Sequence, residues 1–177
     1  MSAALPETER LRLRRFRDED LDWLVRLNAD PAVMRFLGGP MAAEDTAQML
    51  RERILAYYDA HPGLGVWVTE SRADGTCLGF HLLNHIRGSE EIQVGYRLFP
   101  EAWGRGVAGE MARALLAYGF HTLSLDQICG ITHPEHTVSQ RVLQKIGLED
   151  RDSRHYALYG EVRYFANERE SWQNPRR

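Results

Sequence analysis

The stretch FPEAWGRGVAGE, residues 99–110, is where the reading of this chain turns. Within it, Gly104-Arg105-Gly106-Val107-Ala108-Gly109 spells G-x-G-x-x-G, which in isolation is a dinucleotide-binding fingerprint. That fingerprint belongs after the first strand of an alternating sheet, with an acid ending the next strand to hold a ribose. Here several strand-like segments come first, and only about seventy residues remain, too few for that sheet. Asp126 lies at a tempting distance from Gly106, but it precedes the apolar segment QICGITH instead of ending it. A nucleoside-triphosphate loop fails as well, because no Lys-Ser or Lys-Thr follows the glycines. The plain alternative is a strand-to-helix connection with no ligand. Common to every anion cradle is a helix N-terminus whose N–H groups lack partners, approached closely where glycine replaces bulkier residues. Residues 104–109 are therefore read as a cradle for a diphosphate.

Working outward, RLRLRRF (10–16) alternates as a half-buried edge strand, and Asp18 offers an N-cap for a helix stopped by Asp30-Pro31. A second helix is predicted over 43–59, then a meander of strands at 66–70, 77–86 and 91–99, with Asp74-Gly75 as a hairpin turn. An amphipathic helix over 110–123, a strand over 127–133, a helix over 137–147 and strands near 150–158 and 161–167 complete the order β, α, α, β, β, β, α, β, α, β, β. This order specifies an α/β (mixed α+β) domain: a central mixed, largely antiparallel sheet flanked by helices, not a regularly alternating parallel one. One domain spanning 1–177, with its core about 8–170, is expected from the length.

A net charge of -3 lacks the basic surplus that nucleic acid would call for. No apolar run approaches the roughly 20 residues needed to span a bilayer. The N-terminus has no apolar stretch ahead of its charges, so a cytoplasmic protein is expected. Cys77 and Cys129 stand alone and read as buried thiols of a reducing compartment. His133 and His136 flank Pro134 without a third ligand at metal spacing, so no metal is expected.

The segment VGYRLFPEAWGRGVAGE resembles the coenzyme A-binding motif of the GNAT N-acetyltransferases, Q/R-x-x-G-x-G/A, with Trp103 in place of the first Gln or Arg. The Trp is similar to the branch that contains the ribosomal-protein N-terminal (alanine) acetyltransferases. TERLRLRRFRDEDLDWLVRL, DPAVMRFLG and HPEHTVSQRVLQKIGLE resemble, in order, that branch's opening strand and helix, its substrate-side loop and its N-x-x-S-x-x-V-L-x-K-x-G-F helix. The resemblance covers roughly residues 8 to 170. It implies a splayed strand pair in which a bulged strand exposes backbone groups of Leu98 and Phe99 to the pantetheine arm. It further implies that N–H groups of Gly104, Arg105, Gly106, Val107, Ala108 and Gly109 hold the diphosphate, and that His136 and Ser139 contact the coenzyme. Acetyl-CoA is the implied co-substrate and an amine the acceptor, the protein acting as a monomer or homodimer.

The catalytic groups depart from the family pattern. Leu143 stands where many relatives carry a tyrosine acid, which leaves Ser139 as the candidate to protonate the thiolate, or else only to hydrogen-bond the coenzyme. Gln93 stands where relatives often have glutamate, leaving Glu91, at period two from it, and His81 as candidate bases. A lysine amine of pKa ≈ 10.4 is neutral in only about one part in 2,500 at pH 7, whereas an α-amine near 7.7–8.0 is about a tenth neutral. A weak base therefore favours an N-terminal α-amine. The alternatives are a small-molecule amine (aminoglycoside, polyamine or amino acid) and a coenzyme-binding module that has lost catalysis.

Overall fold

Leu11 and Leu13 are buried on one face of β1 (Leu11–Arg15), while Arg12 and Arg14 reach Glu70 on the neighbouring strand. The computed structural model describes residues 3–175. β1 pairs antiparallel with β2 (Gly65–Ser71), and β3 (Cys77–His85) and β4 (Ile92–Leu98) extend the meander. With β5 (Gln127–Thr132), β6 (Glu149–Tyr156) and β7 (Gly160–Glu168) they form a seven-stranded sheet of order β1-β2-β3-β4-β5-β7-β6. The β4–β5 pair is parallel because α5 (Val107–Ala117) crosses over between the two strands.

The expected N-cap at Asp18 is corrected. Asp18–Asp20 forms a 3-10 turn, and the carboxylate that caps it is Asp20, accepting from Arg17 N at 2.8 Å. Asp20 wins because the same buried group also receives Arg14 and the Trp23 indole, which Asp18 does not. α1 (Leu21–Ala29) ends before Asp30, as the Asp-Pro pair predicts, but Asp30 then caps a further short helix, α2 (Pro31–Met34), through Ala32 N and Val33 N. The helix over 43–60 is α3 (Ala43–Gln48), a π-helical stretch Met49–Leu55, and α4 (Ala56–Ala60). α6 (Thr137–Lys145) follows β5.

Alternation along β4 assigns the faces. Tyr96 pairs across β3 with His81, whose ring reaches Ala108 of α5, whereas the next residue, Arg97, reaches Asn28 of α1. The sheet thus carries α5 on one side and α1 on the other. One main core joins both: Leu24, Leu27, Ile54 and Phe80 belong to the same cluster as Leu83, Val94, Met111 and Leu115. Each such side chain contributes on the order of 1.5–3 kcal/mol on burial.

Candidate functional site

β4 and β5 touch at a single parallel bridge, Gln93↔Cys129, and diverge beyond it. The expected bulge in β4 is absent. β4 pairs with β3 without a break from Ile92 to Leu98, and the extra residue lies on β3 at Leu78, where Thr69↔Gly79 gives way to Glu70↔Cys77. The single bridge is enough to let two twisted strands separate.

Hydrogen-bond alternation decides which backbone groups face the gap. Phe99 N donates to Leu78 O at 3.0 Å, so in an antiparallel ladder the odd residues 97, 95 and 93 face β3 and the even residues Val94, Tyr96 and Leu98 face β5. The pairing expected of Phe99 is corrected on this ground: its N–H is already taken by β3. Leu98 does face the gap, but its carbonyl accepts the Trp103 indole N–H at 3.0 Å. Its N–H and both groups of Tyr96 remain for an extended ligand. Gly79 makes this close approach possible: a Cβ there would lie 2.2 Å from Arg97 O and 2.7 Å from Leu98 Cα.

At the C-terminal end of β4 the chain turns through Gly104 and Gly106, with φ of 70° and 77°, into α5. Both are in the left-handed region that glycine adopts without strain. The first α5 hydrogen bond runs from Glu110 N to Gly106 O, so the N–H groups of Val107, Ala108 and Gly109 fall in the turn that has no intrahelical acceptor. A Cβ on Gly104 would meet nothing within 4 Å, leaving the turn open outward. Gly109 also backs onto Val142 of α6 and Ile146 just after it.

Arg105 turns its carbonyl toward the segment before β1: Arg10 Nη2 donates to Arg105 O at 2.9 Å and pairs with Glu110 at 2.5 Å. Thr8 donates to the same carboxylate at 2.6 Å. The segment before β1 therefore clamps the glycine turn. Depressions of about 520 and 430 Å³ flank it, the first lined by Arg10, Arg72 and Arg105, the second by Arg113 and Lys145. Arg10 and Arg72 were not legible as site residues, since only pairing brings β1 and the β2–β3 turn beside residue 105.

At the mouth of the gap, Tyr96 Oη lies 3.1 Å from Ser139 Oγ. Burial pushes the Tyr96 phenol up to about 12, against a smaller opposing effect of the Ser139 hydrogen bond. Sequence reasoning looked for a tyrosine at position 143 and found leucine; β4 supplies one instead. Leu143 is buried and fills the space at Gly130, where a Cβ would lie 2.7 Å from its Cδ2.

Both candidate bases are corrected. His81 is fully buried (0% exposed), and Nε2 lies 3.1 Å from Ala108 O. A carbonyl only accepts, so Nε2 carries the proton and Nδ1 accepts from Thr69 Oγ1 at 2.7 Å. Burial pulls its pKa down to about 4. This neutral ring holds the first turn of α5 in place. The Glu91 carboxylate accepts from Tyr164 (2.6 Å), Tyr156 (2.7 Å), Arg154 (2.9 Å) and Ser89 (3.3 Å). Burial raises its pKa, but those hydrogen bonds and the Arg154 charge outweigh it and leave the group below its ordinary value. With four donors on two oxygens, Glu91 is a structural anchor of β6 and β7. Gln93 is bonded to Asn84 at 3.3 Å.

His136 precedes α6, and its ring stacks on Phe36 at 4.5 Å, with His133 at 5.3 Å from the same ring. Burial, followed by the charges of His133 and Arg35, lowers its pKa. The segment after α2 thus closes on the start of α6 through one aromatic ring. Both cysteines are free thiols, and among the described residues no group of His, Cys, Asp and Glu has metal-site geometry. Among the described residues, no helix is long and apolar enough to cross a membrane.

Comparison with known proteins accounts for this arrangement. A family described as an acetyltransferase (GNAT) domain matches residues 10–149. A protein of Bacillus licheniformis named uncharacterized N-acetyltransferase p20 is 33% identical over 147 residues, 80% of each chain. The FsC-acetyl coenzyme A-N(2)-transacetylase of Aspergillus fumigatus is 29% identical, covering 93% of this chain and 76% of its own. Among solved structures, an acetyltransferase of Agrobacterium tumefaciens superposes with a TM-score of 0.83 at 26% identity, covering 95% of this chain and 96% of the other. At 16% identity, where likeness speaks for the fold alone, are the ribosomal L7/L12 α-N-protein acetyltransferase RimL in complex with coenzyme A and a Vibrio cholerae spermidine N-acetyltransferase in complex with coenzyme A and spermine. Their TM-scores are 0.76 and 0.72; they cover 93% and 92% of this chain, and 97% and 98% of theirs.

Proposed function

The chain belongs to the GNAT acetyltransferases and is an acetyl-transferring enzyme, and from that premise we propose that it moves acetyl from acetyl-CoA to a primary α-amine in the β4–β5 gap. The observation that carries this reading is the alignment of an open glycine turn with the gap and with the Tyr96–Ser139 pair at its mouth. The N–H groups of Gly104, Arg105, Gly106, Val107, Ala108 and Gly109 take the diphosphate at the positive end of α5. The free backbone groups of Tyr96 and Leu98 pair with the pantetheine amides as an added strand. A strand N–H in the gap polarises the thioester carbonyl as negative charge grows on its oxygen. His136 borders the coenzyme from the start of α6.

The neutral amine attacks the carbonyl carbon, the C–N bond forms, the C–S bond breaks, and the departing sulfur needs a proton. A phenol of pKa about 12 is a weaker acid than a thiol near 8.5, so net ionisation of Tyr96 would be uphill by about 5 kcal/mol. The pair therefore serves as a relay: Ser139 Oγ passes its proton to the departing sulfur and takes up the proton that leaves the acylated nitrogen, while Tyr96 stays protonated and holds Ser139 by their hydrogen bond. With Glu91 and His81 both committed elsewhere, the site favours amines already partly neutral at working pH. The test is thiol release from acetyl-CoA with peptides, amino acids, polyamines and aminoglycosides. Turnover with α-amines supports the reading. Tight coenzyme binding with no turnover on any amine would make the protein a binding module instead.

A further inference from the structure

The face of the sheet opposite α5 carries arginines with no acid to answer them. Arg97 projects from β4 onto that face, its guanidinium over the Phe80 ring at 5.2 Å and its Nη1 donating to Asn28 Oδ1 at 2.5 Å. Asn28 is fully buried and directs its amide N–H toward Thr46 at 3.3 Å. Arg97 Nε is buried without a hydrogen-bond partner among the described residues. A buried charged donor left unpaired is costly, and in a native fold it calls for an explanation.

A second arginine acts on it electrostatically, and a third acts on the second. Arg53, exposed on the π-helical stretch Met49–Leu55, and Arg87, exposed after β3, belong to the same field. Burial lowers the pKa of Arg97 to about 10 with the charge of Arg53 adding to it, and partial desolvation of the guanidinium of the exposed Arg53, followed by the charge of Arg87, lowers that of Arg53. Tyr159, between β6 and β7, neighbours both Arg53 and Arg97. Among the described residues none of the ion pairs uses Arg53, Arg87 or Arg97. Asp20 and Glu70 are paired with Arg14, and Glu91 with Arg154 and two tyrosines. Like charges gathered this way repel one another, and a bound anion relieves them.

We propose that this cluster recognises a carboxylate carried by the acceptor amine, with Arg97 as the anchor and Arg53 and Arg87 as the rim. Asn28 holds the Nη1 side, leaving the Nε–Nη2 edge, a fork that matches a carboxylate. Gln93, Gly95 and Arg97 alternate onto one face of β4, and Gln93 forms the bridge to β5, so Arg97 projects from the strand that borders the gap, beyond that bridge. This rests on the acetyltransferase reading and narrows it. The substrate is an amine bearing an acid, and polycationic amines are repelled.

The experiment compares kcat/KM for matched pairs: free amino acids against their carboxamides, and C-terminally amidated peptides differing only by Asp or Asn next to the N-terminus. The first arm reads an α-carboxylate, the second a side-chain carboxylate, and a preference of tenfold or more for the acid in either arm identifies the source. Arg97→Gln and, on the exposed rim where folding is not at issue, Arg53→Ala should each shrink that ratio by about tenfold, toward 1. Added salt should shrink it in the wild type as well. In parallel, thermal shifts with N-acetylated acids and their amides read the anion site without turnover. Stabilisation by the acid alone, lost in Arg53→Ala, with no amine acetylated, would sink the enzymatic reading and leave the anion site standing. Equal kcat/KM for acids and amides, a preference for spermidine, or a ratio unchanged in both variants would overturn the proposal.

Discussion

The Tyr96 hydroxyl on β4 lies 3.1 Å from Ser139 Oγ on α6, so the strand and the helix meet through a side-chain hydrogen bond at the mouth of the gap. If the two hydroxyls form one relay, Ser139→Ala should lower kcat by about 100-fold or more, with Tyr96→Phe falling in the same direction. The double variant should be little worse than Ser139→Ala alone, since groups acting as a unit are not additive. Steady-state kinetics decide this. A normal kcat with a raised KM for acetyl-CoA would reduce Ser139 to a binding contact.

His81 makes the stability of the fold pH-dependent. Its folded-state pKa, about 4, lies below the ordinary 6.5, so between those values the unfolded chain binds the proton that the native ring refuses. Stability from this group is complete above about pH 6.5 and is lost as pH falls toward 4, by on the order of 3 kcal/mol. Urea midpoints of wild type and His81→Gln, compared from pH 7.5 to 4.5, isolate it. The wild-type decline should be the steeper of the two, and parallel curves would contradict the assignment.

The meander, the crossover helix and the place of the glycine turn were legible because each rests on local periodicity or turn chemistry. The Tyr96–Ser139 contact was not, because the two residues are 43 apart in sequence and meet only through the sheet and α6. Glu91 failed as a base for the same reason: period two placed it near Gln93, but nothing local foretells that Tyr156, Tyr164 and Arg154 converge on it from β6 and β7. Asp18 lost the cap to Asp20 through a tertiary ion pair with Arg14. Which of Leu98 and Phe99 faces the gap follows from the parity of the β3 ladder, which no local signal in the sequence reveals.

Without a dedicated base, kcat/KM for a good acceptor should rise with pH toward the amine's own pKa and then level. Glu91→Gln should keep that limb while lowering the melting temperature, because it removes the charge on which Arg154, Tyr156 and Tyr164 converge. Paired peptides, one with only a free α-amine and one with only a free lysine, provide the assay. Faster acetylation of the lysine at pH 7, or a limb near pH 6 that disappears in Glu91→Gln, would restore a dedicated base.

The most direct measurement is the acetyl-CoA-induced thermal shift of the wild type and of Gly106→Asp. Gly106 sits at φ 77° with only Arg10 Nη2 near a would-be Cβ, at 3.5 Å. Aspartate is among the few residues that visit this conformation, so the variant should fold. Acetyl-CoA at about 100 times its Kd should stabilise the wild type by about 2.7 kcal/mol, and NAD should not. The variant places a carboxylate where the diphosphate belongs and should lose the shift. An undiminished shift in Gly106→Asp, or equal stabilisation of the wild type by NAD, would contradict the account.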